Sequence, residues 1–201
     1  MNRAILARHA ESELSVVGRT NGDPSAAVAL TPTGREQARR LGHALEGERI
    51  DLCATSEFER ARETADLALE GREIPRLVLP ELNDIRFGRF EGGSLADYRA
   101  WARTHGPEEP SPGGGDSRLE TVGRYVRGFR TILARPEDTV LVVAHSLPIR
   151  YVLNAATGST PVPLIEQVPY AEPFTLGSAE LETAVERLAA WVETPIWPAP
   201  P

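Results

Sequence analysis

The sequence predicts an α/β fold, a three-layer sandwich in which a mostly parallel central sheet is flanked by helices. Three observations predict it. Short apolar runs alternate along the chain with helix-like segments, as in a parallel sheet with helical crossovers. Two of these runs, AILARH and TVLVVAH, finish on a histidine and lead within a few residues into a helix-like stretch. The second run is apolar almost throughout, as a strand buried on both faces must be.

Ala4–Arg8 reads as the first strand. Residues 10–32 have loop character, with Asn21-Gly22-Asp23-Pro24 as a turn signal. Thr33 and Glu36 form a T-x-x-E capping box that opens a helix through about Glu46. Leu52–Thr55 is the next strand. A second box, Ser56 with Glu59, opens a helix to about Glu70, where Gly71 stops it. Arg76–Leu79 reads as a third strand, ended by Pro80. Residues 81–117 are less regular; they hold Phe87, Phe90, Tyr98 and Trp101 and then the break EEPSPGGG. The stretch 86–117 is expected to form an outer wall or lid whose aromatics serve packing more than a dedicated substrate box. Ser117 and Glu120 offer a third capping box, for a helix to about Ala134. After the strand Thr139–Ala144, a helix starts at Ser146 and ends near Gly158. Residues 162–176 suggest one further strand and Ser178–Val192 a closing amphipathic helix. The Pro-rich tail, 194–201, is expected to be extended or partly disordered. No repeat or linker interrupts the pattern, so residues 1–201 are read as a single domain.

Composition narrows the function. A chain of 201 residues can bury one substantial core. The net charge of −7 argues against sequence-independent nucleic-acid binding, which needs a basic face. The lone Cys53 excludes an internal disulfide, and no Cys/His cluster has zinc-ligand spacing. No apolar run approaches membrane-spanning length, and the short N-terminal run does not resemble a signal peptide, so a cytoplasmic protein without membrane or nucleic-acid partners is expected. Oligomeric state is not legible. His43 and His105 fall in surroundings that read as solvated surface.

The carboxyl ends of parallel strands share one sheet edge, and ligands bind in the crevice there. His9 and His145 stand at two such ends, with Arg8 beside them. Arg60, in the first turn after the second strand, reaches the same crevice. Two guanidiniums suit a tetrahedral oxyanion, because each presents a planar fork of donors with permanent charge. Helix N-termini add N–H groups and a favourable dipole. The implied ligand is a phosphate ester. A metal held by His9, His145 and Asp84 would be opposed by the two arginines, and no cofactor is implied. A neutral imidazole can attack phosphorus if its other nitrogen is held by a hydrogen bond. The second histidine, protonated, would stabilise the transferring oxygens.

LARHAES, LTPTGREQARRLG, TSEFERARETA, ELNDIRFGRFEG and VVAHSLPIR cover roughly residues 3–152. In that order they resemble five signature segments of the histidine phosphatase (phosphoglycerate mutase-like) superfamily. The first resembles L-x-R-H-G-E-[ST] and the last V-x-H-G-x-x-I-R. The resemblance implies that His9 is the nucleophile of a phosphohistidine step and that Arg8, Arg60 and His145 clamp the phosphate. It implies Ser15 and Ser146 as further phosphate ligands; Ser15 stands where the family commonly has Asn. Asp84 occupies the place of the proton donor, which protonates the leaving alkoxide and then activates water. Asp is one methylene shorter than Glu, and Glu81 is the fallback donor. Ala10 replaces the usual Gly after the first histidine. Glu11 and Ser12 keep the motif, and Gly114-Gly115-Asp116-Ser117 partly resembles the family's G-G-E-S element.

The resulting expectation is a phosphomonoesterase acting on a small-molecule phosphate ester. Two rivals stay open. A phosphoglycerate-type mutase would carry a longer chain and R-H-Y-G where this chain has Ile85-Arg86-Phe87-Gly88. A catalytically silent phospho-ligand binding module would have no need of both histidines, both arginines and an acid together.

Overall fold

Residues 1–198 are described by the structure, a computed structural model; positions 199–201, the end of the Pro-rich tail, lie outside the described residues. The elements run in order β1 (Arg3–Arg8), α1 (Glu13–Val16), α2 (Pro32–Ala44), β2 (Leu52–Thr55), α3 (Glu59–Ala68) and β3 (Arg76–Val78). They continue with α4 (Leu95–Thr104), α5 (Arg118–Leu133), β4 (Thr139–Ala144), α6 (Ser146–Ala156), β5 (Pro173–Gly177) and α7 (Ser178–Glu193). The sheet order is β3-β2-β4-β1-β5. All neighbours pair in parallel except β5, which runs antiparallel to β1. The chain is thus the α/β sandwich its sequence predicts, with helices on both faces.

Strand periodicity divides the core in two. On β4, Val140, Val142 and Ala144 face the layer of α4–α7, while Leu141 and Val143 face α2 and α3. β1 does the same, with Leu6 on one side and Ile5 and Ala7 on the other. Every residue of β4 is buried, which is why its sequence is continuously apolar rather than alternating.

The helix starts correct two readings of the sequence. α2 begins two residues before the Thr33 box: Thr31 is the cap, its hydroxyl accepting the Gly34 N–H at 2.9 Å. Pro32 decides this, because a residue with no N–H and a fixed φ fits the first helical position. The Ser56–Glu59 box does not form; Phe58 caps α3 without a side-chain bond, and Ser56 is engaged elsewhere. The Ser117–Glu120 box forms as expected, with bonds of 3.1 and 2.8 Å. Two helices, α1 and α4, lie in stretches read as irregular. The one signal for α4 is Ser94, whose hydroxyl accepts the Ala96 N–H at 3.1 Å.

Up to its described end the tail has no helix or strand after α7 and is held by Trp197. The Trp197 ring lies 5.5 Å from that of Trp191, tilted by 30°, and donates its indole N–H to the His105 carbonyl at 3.0 Å. His105 is half-buried, its ring 4.4 Å from that of Trp101, rather than free in solvent. His43 is exposed as expected. Among the described residues no helix is long and apolar enough to cross a membrane.

Candidate active site

The register of β1 on β4 brings the two histidines together. Arg8 pairs with Ala144, so each strand ends one residue before its histidine. The His9 N–H closes the pairing on the Ala144 carbonyl at 2.8 Å, and the imidazole centroids stand 5.3 Å apart, edge to face. Arg60, in the first turn of α3, places its guanidinium against both rings. Its Nε donates to His9 Nε2 at 3.2 Å, and its Nη2 meets His145 Nδ1 at 3.2 Å. The same guanidinium lies 4.2 Å above the Phe58 ring. Asn21 holds it from the far side: the carbonyl accepts from Nη2 at 3.1 Å, and Oδ1 accepts from Nη1.

These contacts fix the tautomers. His9 Nδ1 lies 2.8 Å from the Ala10 carbonyl, an acceptor only, so Nδ1 carries the proton and Nε2 has the lone pair. At His145, Arg60 can only donate to Nδ1, so the ring proton sits on Nε2 and points to Ser56 Oγ at 2.9 Å. Burial lowers the pKa of both rings well below the ordinary value, with Arg60 next; Arg8 adds to the shift at both and His9 at His145. Burial also pulls the Arg60 guanidinium down to about 10, against the opposing attraction of Asp84.

Arg8 lies 3.9 Å over the Tyr170 ring and donates to the Val168 carbonyl at 2.9 Å; its Nε is buried and has no hydrogen-bond partner among the described residues. The Ser146 hydroxyl accepts the Val168 N–H at 2.7 Å, tying the segment before β5 to the start of α6. Asp84 points its Oδ2 to within 3.9 Å of Arg60 Nη2 and 3.8 Å of His145 Nδ1. Burial raises the pKa of its carboxyl even though Arg60 pulls it down. Asp84 reaches this position because the Asn83 side chain anchors the turn: its Oδ1 accepts the Glu57 N–H at 2.9 Å and its Nδ2 donates to Glu57 at 2.7 Å.

These groups line one cavity of about 350 Å³. Arg8, His9, Arg60, Asp84, Ser15 and Ser146 are all on its wall. His145 lies directly beneath, wholly buried. Ser15 spends its hydroxyl locally, accepting the Ser12 N–H at 2.9 Å and donating to the Ser12 carbonyl at 3.0 Å. Glu81 is not brought in; its Cβ packs where a methyl on Gly128 of α5 would come within 2.9 Å. Ala10 is buried with an ordinary backbone, Ala171 being the one non-glycine with positive φ among the described residues, so no glycine is needed after His9. Its N–H is held by Thr64 Oγ1 at 2.9 Å, and that hydroxyl donates to the Arg60 carbonyl at 2.6 Å. Phe87 and Tyr98, in the 86–117 stretch, pack edge to face at 4.7 Å on the apolar half of the cavity. Among the described residues no group of three potential metal ligands clusters.

Asn21, Ser56, Thr64 and Tyr170 are site residues that the sequence does not single out. Ser56 carries a usable signal, since it follows β2 at the same sheet edge as His9 and His145, but its position before Glu59 makes a helix cap the nearer reading. Asn21 is hidden within a turn signal.

The family model for the histidine phosphatase superfamily (branch 1) matches residues 4–194. An adenosylcobalamin/alpha-ribazole phosphatase of Salmonella typhimurium is 36% identical over 153 residues, 71% of this chain and 73% of the relative. A 2,3-bisphosphoglycerate-dependent phosphoglycerate mutase of a Methylobacterium is 33% identical over 190 residues, 85% of this chain and 86% of the relative. The crystal structure of the alpha-ribazole phosphatase from Shigella flexneri superposes with a TM-score of 0.73 at 28% identity, covering 86% of this chain and 89% of that one.

Proposed function

The chain belongs to the histidine phosphatase superfamily, and from that premise we propose that it is a phosphomonoesterase working through a phosphohistidine on His9. One observation carries the reading: the Ala10 carbonyl holds His9 Nδ1–H at 2.8 Å, which leaves the Nε2 lone pair facing the Arg60 guanidinium at 3.2 Å. A substrate phosphate takes over the Arg60 and Arg8 donors, and Nε2 is then free to attack phosphorus. The P–O bond to the leaving group breaks as Asp84 gives its proton to the departing oxygen, yielding the alcohol. Asp84, now a carboxylate, takes a proton from water, whose oxygen attacks the phosphohistidine. The N–P bond breaks, phosphate leaves and Asp84 is again protonated.

The pKa directions support these roles. His9 must be neutral to attack, and burial with two guanidiniums keeps it so. Asp84 must enter protonated, and burial raises it. A bound dianion raises the pKa of His145, so the ring gains the proton that lets its Nδ1 donate to phosphate. Glu81, outside the cavity, is not assigned a step.

The decisive experiment is labelling by a phosphate ester. We expect acid-labile, base-stable phosphate on the enzyme and none on His9→Ala; no label and no phosphate release from a broad ester panel would leave a silent binding module. The mutase relative favours a second reading, because it matches more of the chain than the phosphatase relative does. Interconversion of phosphoglycerates faster than phosphate release would establish that second reading.

A further inference from the structure

The arginine content of the cavity exceeds what one phosphate requires. Arg8, Arg19, Arg60, Arg99 and Arg118 all reach its wall, against Asp84 as its single acid. Arg8 and Arg60 stand at the histidines, but Arg118 enters from a different wall, the first turn of α5, beside Tyr98 and the 163–165 segment. Its residue exposure is 8%.

Among the described residues no carboxylate comes within ion-pair distance of Arg118, and Asp84 attracts it only from farther off. Arg118 donates to Tyr151 Oη at 3.2 Å and to the Pro163 carbonyl at 3.4 Å, and its guanidinium lies 5.6 Å from the Tyr98 ring centre. Its Nε is buried and has no hydrogen-bond partner among the described residues. Of five guanidinium N–H donors, two are committed, which leaves three. Among the described residues it forms no ion pair. The neighbouring carboxylate, Asp116, is already taken by Arg86 at 2.7 Å and Arg124 at 3.4 Å. Burying a cation without a counter-charge is costly. A protein keeps such a group where an anion arrives from outside, as Arg8 illustrates at the phosphate end of the cavity.

We propose that Arg118 sets the leaving-group specificity of this site by binding a carboxylate carried on the alcohol half of the phosphate ester, a proposal that rests on the phosphatase reading above. A planar fork with uncommitted donors matches a planar carboxylate. The apolar surroundings of Tyr98, Phe87 and Leu147 strengthen the pairing by excluding water.

The test uses 3-phosphoglycerate and glycerol 3-phosphate, which differ by one carboxylate in place of a hydroxymethyl group, with phenyl phosphate as reference. Phosphate release gives kcat/KM for each. The native enzyme is expected to prefer the carboxylate ester by at least about tenfold, equivalent to about 1.4 kcal/mol. Arg118→Met should bring that preference to within about threefold, chiefly by weakening the apparent binding of the carboxylate ester (a higher KM), and Arg118→Lys should retain part of it. A residue that merely braces the Pro163 segment would slow both esters by one factor. That result, or no preference in the native enzyme while phenyl phosphate is hydrolysed in a His9-dependent way, overturns the role of Arg118 alone. No release even from phenyl phosphate overturns the phosphatase reading, and this inference with it.

Discussion

Replacing Asp84 by Asn removes a proton without changing a shape. The Asp84 Oδ1 accepts the Ile85 N–H at 3.0 Å, a bond an amide oxygen keeps, and Oδ2 stands 3.8 Å from His145 Nδ1. The amide cannot protonate a leaving alkoxide. How much this costs depends on the alcohol. A phenol has a pKa of about 10, whereas an aliphatic alkoxide is nearly as basic as hydroxide and so a far poorer leaving group unless it is protonated. A positioned general acid contributes about 10²–10⁴-fold. An alkyl phosphate should therefore lose about that factor in kcat/KM, and phenyl phosphate less than about tenfold. On the proposed mechanism Asp84 is also the base of the second half-reaction, so the variant should accumulate labelled His9 from the phenyl ester, visible by rapid quench. Glu81→Gln serves as the control, since Glu81 lies away from the cavity; its rates should stay within about twofold of native. Equal losses on both esters for Asp84→Asn, or the alkyl-selective loss appearing in Glu81→Gln instead, would refute the assignment.

The histidine tautomers can be read directly by ¹⁵N NMR at neutral pH: His9 should carry its proton on Nδ1 and His145 on Nε2. Because both pKa values lie below the ordinary 6.5, a neutral ring is the species above the folded pKa, and both should stay neutral as the pH is lowered through 6.5. A charged His9 at that pH would remove its claim to be a ready nucleophile. Gly22→Ala would put a methyl 2.2 Å from the Ile85 carbonyl oxygen and 2.9 Å from Arg86 Cα. Overpacking of that kind costs about 1–3 kcal/mol, at about 2–4 °C in Tm per kcal/mol for a chain of this size. Activity should fall with it because Asn21, next door, steadies Arg60; an unchanged melting curve would show that the two loops do not meet as described.

The fold was legible wherever one periodicity ruled. β1, β2 and β4 are apolar runs bounded by turns, and parallel pairing alone brings their carboxyl ends, with the histidine tips, to one sheet edge; their order β2-β4-β1 comes only from the structure. Caps were legible only where a single candidate stood at the boundary, as with Ser117. At α2 two threonines competed and the proline between them settled the start. At α3 the serine had a stronger partner across the sheet in His145 than in its own helix, and no local pattern can weigh a contact between residues 56 and 145. The same limit hid Asn21, whose partner is fixed by how a long loop folds over the sheet edge. Among the site residues, those one step beyond a strand end were legible, because topology places them. Those that arrive by loop packing, Asn21 and Tyr170, were not.

A chain with a net charge of −7 that gathers five arginines in one cavity separates two electrostatic scales. Surface charge is screened beyond about 8 Å at physiological ionic strength, so the acidic exterior does little against an anion already inside. Within the cavity, Arg8, Arg60 and Arg118 are each less than a tenth exposed and find one carboxylate among them, Asp84, at 3.9 Å from Arg60. That shortage of negative charge costs the folded state, and the same field makes the site usable. The guanidiniums that would hold a phosphate also add to burial in lowering the His9 pKa, which favours the neutral ring that the proposed attack needs. They pull the Asp84 pKa down as well, and burial outweighs them, so the carboxyl sits above its ordinary value. On the proposed mechanism a bound dianion offsets the arginines, which favours the proton on Asp84 and lets His145 acquire one, while the His9 Nε2 lone pair meets phosphorus instead of a proton. In that scheme substrate binding completes the charge states that transfer needs, starting from an Asp84 whose pKa burial has already raised.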